Sequence, residues 1–320
     1  LQEQGVLSRI AESLYWVGRY VERAEDTARI LDVQVHHILE DPWVDEAAAC
    51  ANLLSVMGLP APPGRLEASQ VIDLLSFDSG DACSIVGSLT AARANARAAR
   101  DAISSEMWEC LNATYNALTP PAAWATNPGP HPFFRYVKER AAIMAGLADS
   151  TMSRDDGWRF LVLGRSLERV DMTARLLLAS VTGPSGSPEW VNTLRSCSAH
   201  EAFLRTYRRS VDGSLVAEFL LLDRLFPRSA FHALGVAEQC LAELGPTAGR
   251  TGLEDEARRI LGRARMELEF RRVGELIADL PGHLQALQAA CAETGRAVAA
   301  RFFRQTAAIE WTLEGTRGEP

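Results

Sequence analysis

Apolar residues recur at helical spacing almost from the start of the chain. Between residues 8 and 40 there is no proline and one interior glycine, Gly18. At 100° per residue, Leu14, Val17, Val21, Ala24, Ala28, Leu31 and Val35 fall on one face, with Arg19, Glu22, Arg23 and Asp26 opposite. That pattern predicts a long amphipathic helix with Ser8 as its N-cap. Asp41-Pro42 closes it and a second helix restarts over 44–57. After the loop Leu59-Pro60-Ala61-Pro62-Pro63-Gly64, the pattern predicts a helix over 65–76, a turn at Asp78-Ser79-Gly80-Asp81, and an Ala-rich helix over 84–118. Five prolines between 119 and 132 exclude a helix there. Helices follow over 133–149, 155–181, 189–209, 211–244 (interrupted at Phe226-Pro227-Arg228-Ser229), 252–279 and 282–311, the last two separated by Pro281-Gly282. Alternating apolar runs rich in β-branched residues are absent, so the expected fold class is all-α, a multi-helix bundle.

One stretch occurs twice. Gly18-Arg19-Tyr20-Val21-Glu22-Arg23-Ala24-Glu25-Asp26-Thr27-Ala28-Arg29-Ile30-Leu31 returns at an offset of 146 as Gly164-Arg165-Ser166-Leu167-Glu168-Arg169-Val170-Asp171-Met172-Thr173-Ala174-Arg175-Leu176-Leu177, with eight of fourteen pairs identical. The shared positions are mostly charged, while the apolar ones drift. A repeat kept only for packing should drift the other way, so the charges mark a site. Val211-Asp212-Gly213-Ser214-Leu215 weakly echoes Ile85-Val86-Gly87-Ser88-Leu89. The expected organisation is therefore a single domain with internal duplication: repeat 1 over about 7–118, repeat 2 over about 152–244, related by approximate two-fold symmetry, and C-terminal helices over about 252–311.

Composition narrows the function classes. With 320 residues, 47% hydrophobic and 23% charged, the chain has ample core volume for a globular protein. A formal charge of −8 argues against nucleic acid and against a membrane surface as partners. Lys138 is the only lysine, so almost all positive charge is guanidinium, which favours planar bidentate contacts with carboxylates or phosphates. Six cysteines at 50, 83, 110, 197, 240 and 291 have no framework spacing, and no run approaches a membrane span. The start Leu1-Gln2-Glu3-Gln4 has no signal-peptide character, and the expected location is the cytoplasm.

Several stretches together resemble the alpha-E family, a bacterial all-helical family named for its Glu-Arg motif. They are Leu7-Ser8-Arg9 with Leu14-Tyr15-Trp16, Gly18 to Glu25, Ser104-Ser105-Glu106-Met107-Trp108, Thr151 to Arg154 with Gly157-Trp158, Gly164 to Arg169, Phe219 to Asp223, and Phe226 to Ser229. The resemblance covers nearly the whole chain. It implies association with circularly permuted ATP-grasp ligases, in trans or as a fused domain, and proximity to transglutaminase-like proteins. A part in an ATP-dependent peptide- or amide-forming system follows as an expectation. It carries over no catalytic mechanism.

Three readings of the doubled motif stay open. The charges form a solvated face of ion pairs, each worth a few tenths of a kcal/mol. Or they form a buried Arg–Glu network that fixes the register of the two helices. Or Arg19, Glu22, Arg23, Arg29, Arg165, Glu168, Arg169 and Arg175 line a cleft that binds a carboxylate- or amine-bearing substrate, guanidiniums forking onto the acid and a carboxylate receiving the amine. Catalysis would need Glu22 and Glu168 as an acid/base pair, which surrounding arginines oppose by holding both ionised. No Gly-x-x-x-x-Gly-Lys loop and no Gly-x-Ser-x-Gly elbow occurs, so no cofactor is expected and any ATP falls to the partner. No metal is expected either: Glu-x-x-His is absent, and His36-His37 with Glu40, or Cys197 with His200, read as ordinary helix residues. Arg93, Arg97 and Arg100 form a stripe that either extends the cationic cleft or is solvated, and Trp16, Trp108 and Trp158 are expected in the core.

Overall fold

The computed structural model describes residues 2–40, 45–60, 64, 66–118, 129–182, 190–245 and 251–303. The helices are α1 (Gln2–Glu40), α2 (Glu46–Met57), α3 (Ala68–Phe77), α4 (Ile85–Ala98), α5 (Ser105–Leu118), α6 (His131–Thr151), α7 (Asp156–Thr182), α8 (Trp190–Ser196), α9 (His200–Tyr207), α10 (Gly213–Leu222), α11 (Ala230–Leu244), α12 (Glu256–Phe270), α13 (Val273–Ala278) and α14 (Leu280–Phe302). Among the described residues there is no strand, and no helix is long and apolar enough to cross a membrane. The all-α expectation holds.

Helices α1 and α7, the two carrying the doubled motif, cross at the centre of the molecule. Each bears its own layer: α4 and α6 pack on α1 with α5 between them, and α11 and α14 pack on α7 with α12 between them. The C-terminal helices α12 and α14, expected outside the two repeats, pack with α11 and α7 much as α5 and α6 pack with α4 and α1. The counterpart of α4 by packing is α11, preceded by Ser229, rather than the segment starting at Val211.

Several expected helices are divided. The 84–118 helix breaks at a 3-10 turn, Arg100–Ala102, after which Ile103 is extended and the Ser104 hydroxyl accepts from the Met107 amide. The 189–209 helix breaks where Ser198 adopts φ 51°, and the 252–279 helix breaks at Arg271 and Arg272, both extended. The interruption near Phe226 falls as expected: Asp223 accepts from the amides of Leu225 and Phe226, and Ser229 caps α11. Pro281 is not a separator but sits in the first turn of α14, where a proline's missing N–H costs nothing, and Asp279 caps that turn. Ser8 is not a cap either; α1 begins at Gln2, and the Ser8 hydroxyl donates to the Phe302 carbonyl at 2.7 Å. The proline-rich segment 119–128, most of the loop 61–65, the loop 183–188 and everything past 303 lie outside the described residues.

The polar face assigned to α1 is not solvated. Leu14, Val17, Ala24, Ala28, Leu31 and Val35 are buried as their spacing predicts, and so are Glu22, Glu25 and Asp26 on the other side. A central helix packed on several sides has no solvent face at its middle, and its charges must find partners or be costly.

Candidate functional site

The site begins with two glycines. A Cβ on Gly18 would lie 2.0 Å from the Leu161 carbonyl oxygen, and a Cβ on Gly164 would lie 2.0 Å from that of Tyr15. Each glycine therefore receives the backbone three residues before the other, and α1 and α7 approach more closely than any side chain would permit. This close crossing aims the charged residue one turn beyond each glycine at the opposing helix.

Glu168 and Glu22 are the two centres. Glu168, 1% exposed, accepts from Arg19 Nε at 2.6 Å and from Arg23 through Nε at 2.5 Å and Nη2 at 3.2 Å. Glu22, 2% exposed, accepts from Arg169 through Nε at 2.7 Å and Nη2 at 2.9 Å. The forked contact of Arg23 on Glu168 and that of Arg169 on Glu22 are counterparts at the offset of the repeat. Their remaining Nη1 groups reach backbone carbonyls that also correspond, Ala82 at 3.5 Å and Pro227 at 3.4 Å. Arg19 donates further to the Tyr15 hydroxyl at 3.1 Å.

The correspondence ends at the third guanidinium. In the first centre it is Arg19, from α1 itself. In the second it is Arg228, from the loop before α11, donating Nη1 to Glu22 at 3.0 Å and to Asp26 at 2.6 Å and Nη2 to Glu25 at 2.7 Å. Arg165, the sequence counterpart of Arg19, has no hydrogen bond or ion pair among the described residues. It lies against a half-open cavity of about 30 Å³ lined also by Val17, Val21, Glu22, Leu161 and Met144. Arg29 pairs with Glu25, at 2.5 Å from Nη2, and with the Ser198 hydroxyl, and Arg175 pairs with Asp171 at 2.8 Å, so both stand one turn away from the two centres.

The electrostatics follow from burial and pairing. Desolvation pushes the Glu22 carboxyl up, but Arg169 and Arg228 together outweigh it and hold it at about 2. Glu168 is likewise lowered: its desolvation is overcome by Arg19 and Arg23. Asp26 goes the other way, to about 7, because desolvation is reinforced by Glu22 and Glu25 and only partly opposed by Arg228. Its Oδ2 is buried without a partner, the arrangement of a carboxyl that keeps its proton. Arg165 is depressed, first by desolvation and then by repulsion from Arg169, with Glu22 too weak a compensation.

The chain matches the family described as a predicted alpha-helical domain with a conserved ER motif over residues 6–303. The chain belongs to the alpha-E family. Uncharacterized proteins of Mycobacterium bovis and of Mycobacterium tuberculosis are 26% identical to it over 275 residues, covering 76% of this chain and 30% of each relative. The chain thus spans less than a third of the length of those relatives. No solved structure matches it.

The Glu-Arg pair of the alpha-E motif is, in this geometry, one arm of a crossed clamp: each glutamate is held by the arginine of the other copy. Six of the eight candidate residues lie in or beside the two centres, and Arg228, Asp26, Glu25 and Tyr15, which were not among the candidates, are their partners. Arg228 was visible only as part of Phe226-Pro227-Arg228-Ser229, read as a helix break. The Arg93 stripe does not reach the alpha-E charges. Arg93 bonds Asn112 at 2.8 Å and lies over Tyr115 and Trp108, with Arg100 also over Trp108. Trp16, Trp108 and Trp158 are partly buried against the core. His36 and His37 face a surface hollow where Asp32 joins His131 at 2.6 Å and Lys138 at 2.5 Å. All six cysteines are free thiols, five of them buried.

Proposed function

We propose that the chain is the non-ATP-binding helical component of an ATP-grasp-linked peptide- or amide-forming system, contributing recognition of a carboxylate-bearing substrate or of the ligase rather than bond-making chemistry. One observation carries the non-catalytic half of this reading. Glu22 and Glu168, the two candidate acid/base residues, each already accept from two guanidiniums and are held well below neutrality. A carboxylate so placed is a poor base and cannot act as an acid at neutral pH. The ligase link rests on the alpha-E membership and on the expectation that membership brings. The short span of the chain relative to its relatives fits a domain that works alongside others. An ATP-consuming partner puts the work in the cytoplasm, and a transglutaminase-like protein is a further member of the system in this reading.

We further read the domain as an internal duplication. The reciprocal approach of Gly18 and Gly164 and the matching forks of Arg23 and Arg169 support it. A scaffold role without ligand recognition is favoured by the same network, since Glu22 and Glu168 already have their guanidiniums and need no ligand.

The test is to mix the purified chain with a circularly permuted ATP-grasp ligase and follow ADP release and amide formation. Turnover is expected with the ligase and enhanced by the chain, and none from the chain alone. Amide chemistry by the chain alone, lost in Glu22→Gln with the melting temperature preserved, would replace this reading with an enzyme. A ligase indifferent to the chain would leave the scaffold.

A further inference from the structure

We propose that Arg165 and the apolar hollow beside it form a carboxylate-recognition site, which takes a ligand's terminal carboxylate on a short aliphatic stem. The inference deepens the recognition role proposed above and takes its biological meaning from it.

Three observations converge. First, Arg165 alone among the six arginines of the two motif copies lacks an ion pair among the described residues, because Arg228 holds the position at Glu22 that Arg19 holds at Glu168. Its five N–H donors are therefore open to a ligand in a place largely removed from water, where a charge-assisted fork gains most. Second, the adjoining cavity of about 30 Å³ is walled by Val17, Val21, Leu161, Met107 and Met144 and also by Glu22 and Glu25, whose charges are taken up by Arg169, Arg228 and Arg29. At about 10–15 Å³ per water-sized group this is room for two or so such groups, enough for the two oxygens of a carboxylate, with the stem behind them lying at the open mouth. Third, the surroundings carry surplus positive charge. Arg29, Arg165, Arg169 and Arg228 are four guanidiniums against the three carboxyls of Glu22, Glu25 and Asp26, and Asp26 holds its proton up to about pH 7.

The walls decide between anions. One guanidinium satisfies a planar carboxylate with two parallel bonds, while a phosphate would leave oxygens facing valine, leucine and methionine.

The experiment is isothermal titration of the full chain with N-acetyl-L-alanine, its primary amide and inorganic phosphate. The acid is expected to bind saturably in the millimolar range and the amide not at all. Arg165→Gln should weaken the acid by at least about tenfold, the loss of one charge-assisted contact, while keeping its melting temperature. Arg165→Lys should retain part of the affinity. Arg93→Gln, on the α5 side of the molecule, should bind as the wild type does. No saturable binding of the acid by the wild type, or unchanged binding by Arg165→Gln, overturns the site. Phosphate bound more tightly than the acid overturns the carboxylate assignment. The titration involves no ligase. If the acid binds but the ligase ignores the chain, the function proposed above has failed and this site stands; a ligase response without acid binding means the reverse.

Discussion

The two centres of the crossing start from the same motif and end in different states. At Glu168 the motif closes on itself, with both guanidiniums, Arg19 and Arg23, supplied by α1. At Glu22 one comes from α7 and the other from the loop before α11, so the motif's own Arg165 is displaced. The difference traces to two exchanges. Where the first half has Cys83 beside the backbone carbonyl of Ala82, the second has Arg228 beside that of Pro227. Where α7 has Met172, α1 has Asp26, which receives the added guanidinium at 2.6 Å. With Arg228 and Asp26 both at the second centre, Arg165 is left without an ion pair among the described residues.

The largest expected effect falls on the closed centre. Glu168→Gln leaves Arg19 and Arg23 buried without a counter-charge and should cost about 3–5 kcal/mol in denaturant unfolding. Next comes the crossing itself. Gly18→Ala and Gly164→Ala each drive a methyl into a backbone carbonyl, and each should cost about 3 kcal/mol or more, equally for the two positions. A loss in only one of the pair would break the reciprocity.

The third prediction copies one half onto the other. Arg228→Cys alone strips Asp26 and Glu25 of a partner, and Asp26→Met alone leaves Arg228 with less to hold. Together they recreate the first half's pairing. The double variant should recover about 1–3 kcal/mol relative to the sum of the single losses. It should also lose acid binding, as Arg165 turns to Glu22.

The smallest effect is one of pH. The carboxyl of Asp26 is raised in the fold from its ordinary value of 3.8 to about 7, so its contribution to stability is fully present below about pH 4 and is lost as pH rises through about 7. Glu22 has the opposite sign: its stabilisation is present above its ordinary 4.5 and is lost only as pH falls toward 2. Between about pH 5 and pH 7, inside the window from 3.8 to about 7 that these values bracket, the wild type should therefore lose a few degrees of melting temperature that Asp26→Asn retains.

Much of this was written in the spacing of residues. The long helices around Leu14 and Leu163, the proline-bounded loops and the pairing of Glu22 with Glu168 as the marked positions follow from periodicity and from the repeat, whereas the close approach at Gly18 and Gly164 does not. The burial of Glu22, Glu25 and Asp26 does not, because a helical wheel divides core from solvent on the premise that a helix packs on one side. α1 packs on α4, α6 and α7 at once. Arg228 lies 59 residues beyond Arg169 in a broken segment, and nothing local ties it to Glu22. The break at Ser104-Ser105-Glu106 had a capping pattern to reveal it, whereas the break at Arg271 and Arg272 had neither glycine nor proline.

The asymmetry between the centres is tested most directly by thermal unfolding of Arg19→Gln beside Arg165→Gln, the same substitution at corresponding positions. Arg19 donates to Glu168 and Tyr15, so its loss should lower the melting temperature by at least about 4 °C, the shift of a chain this size for about 2 kcal/mol. Arg165→Gln removes an unpaired, desolvated charge and should leave the melting temperature unchanged or raise it. Equal losses at the two positions would contradict the account, because Arg165 would then hold the clamp together as firmly as Arg19 does.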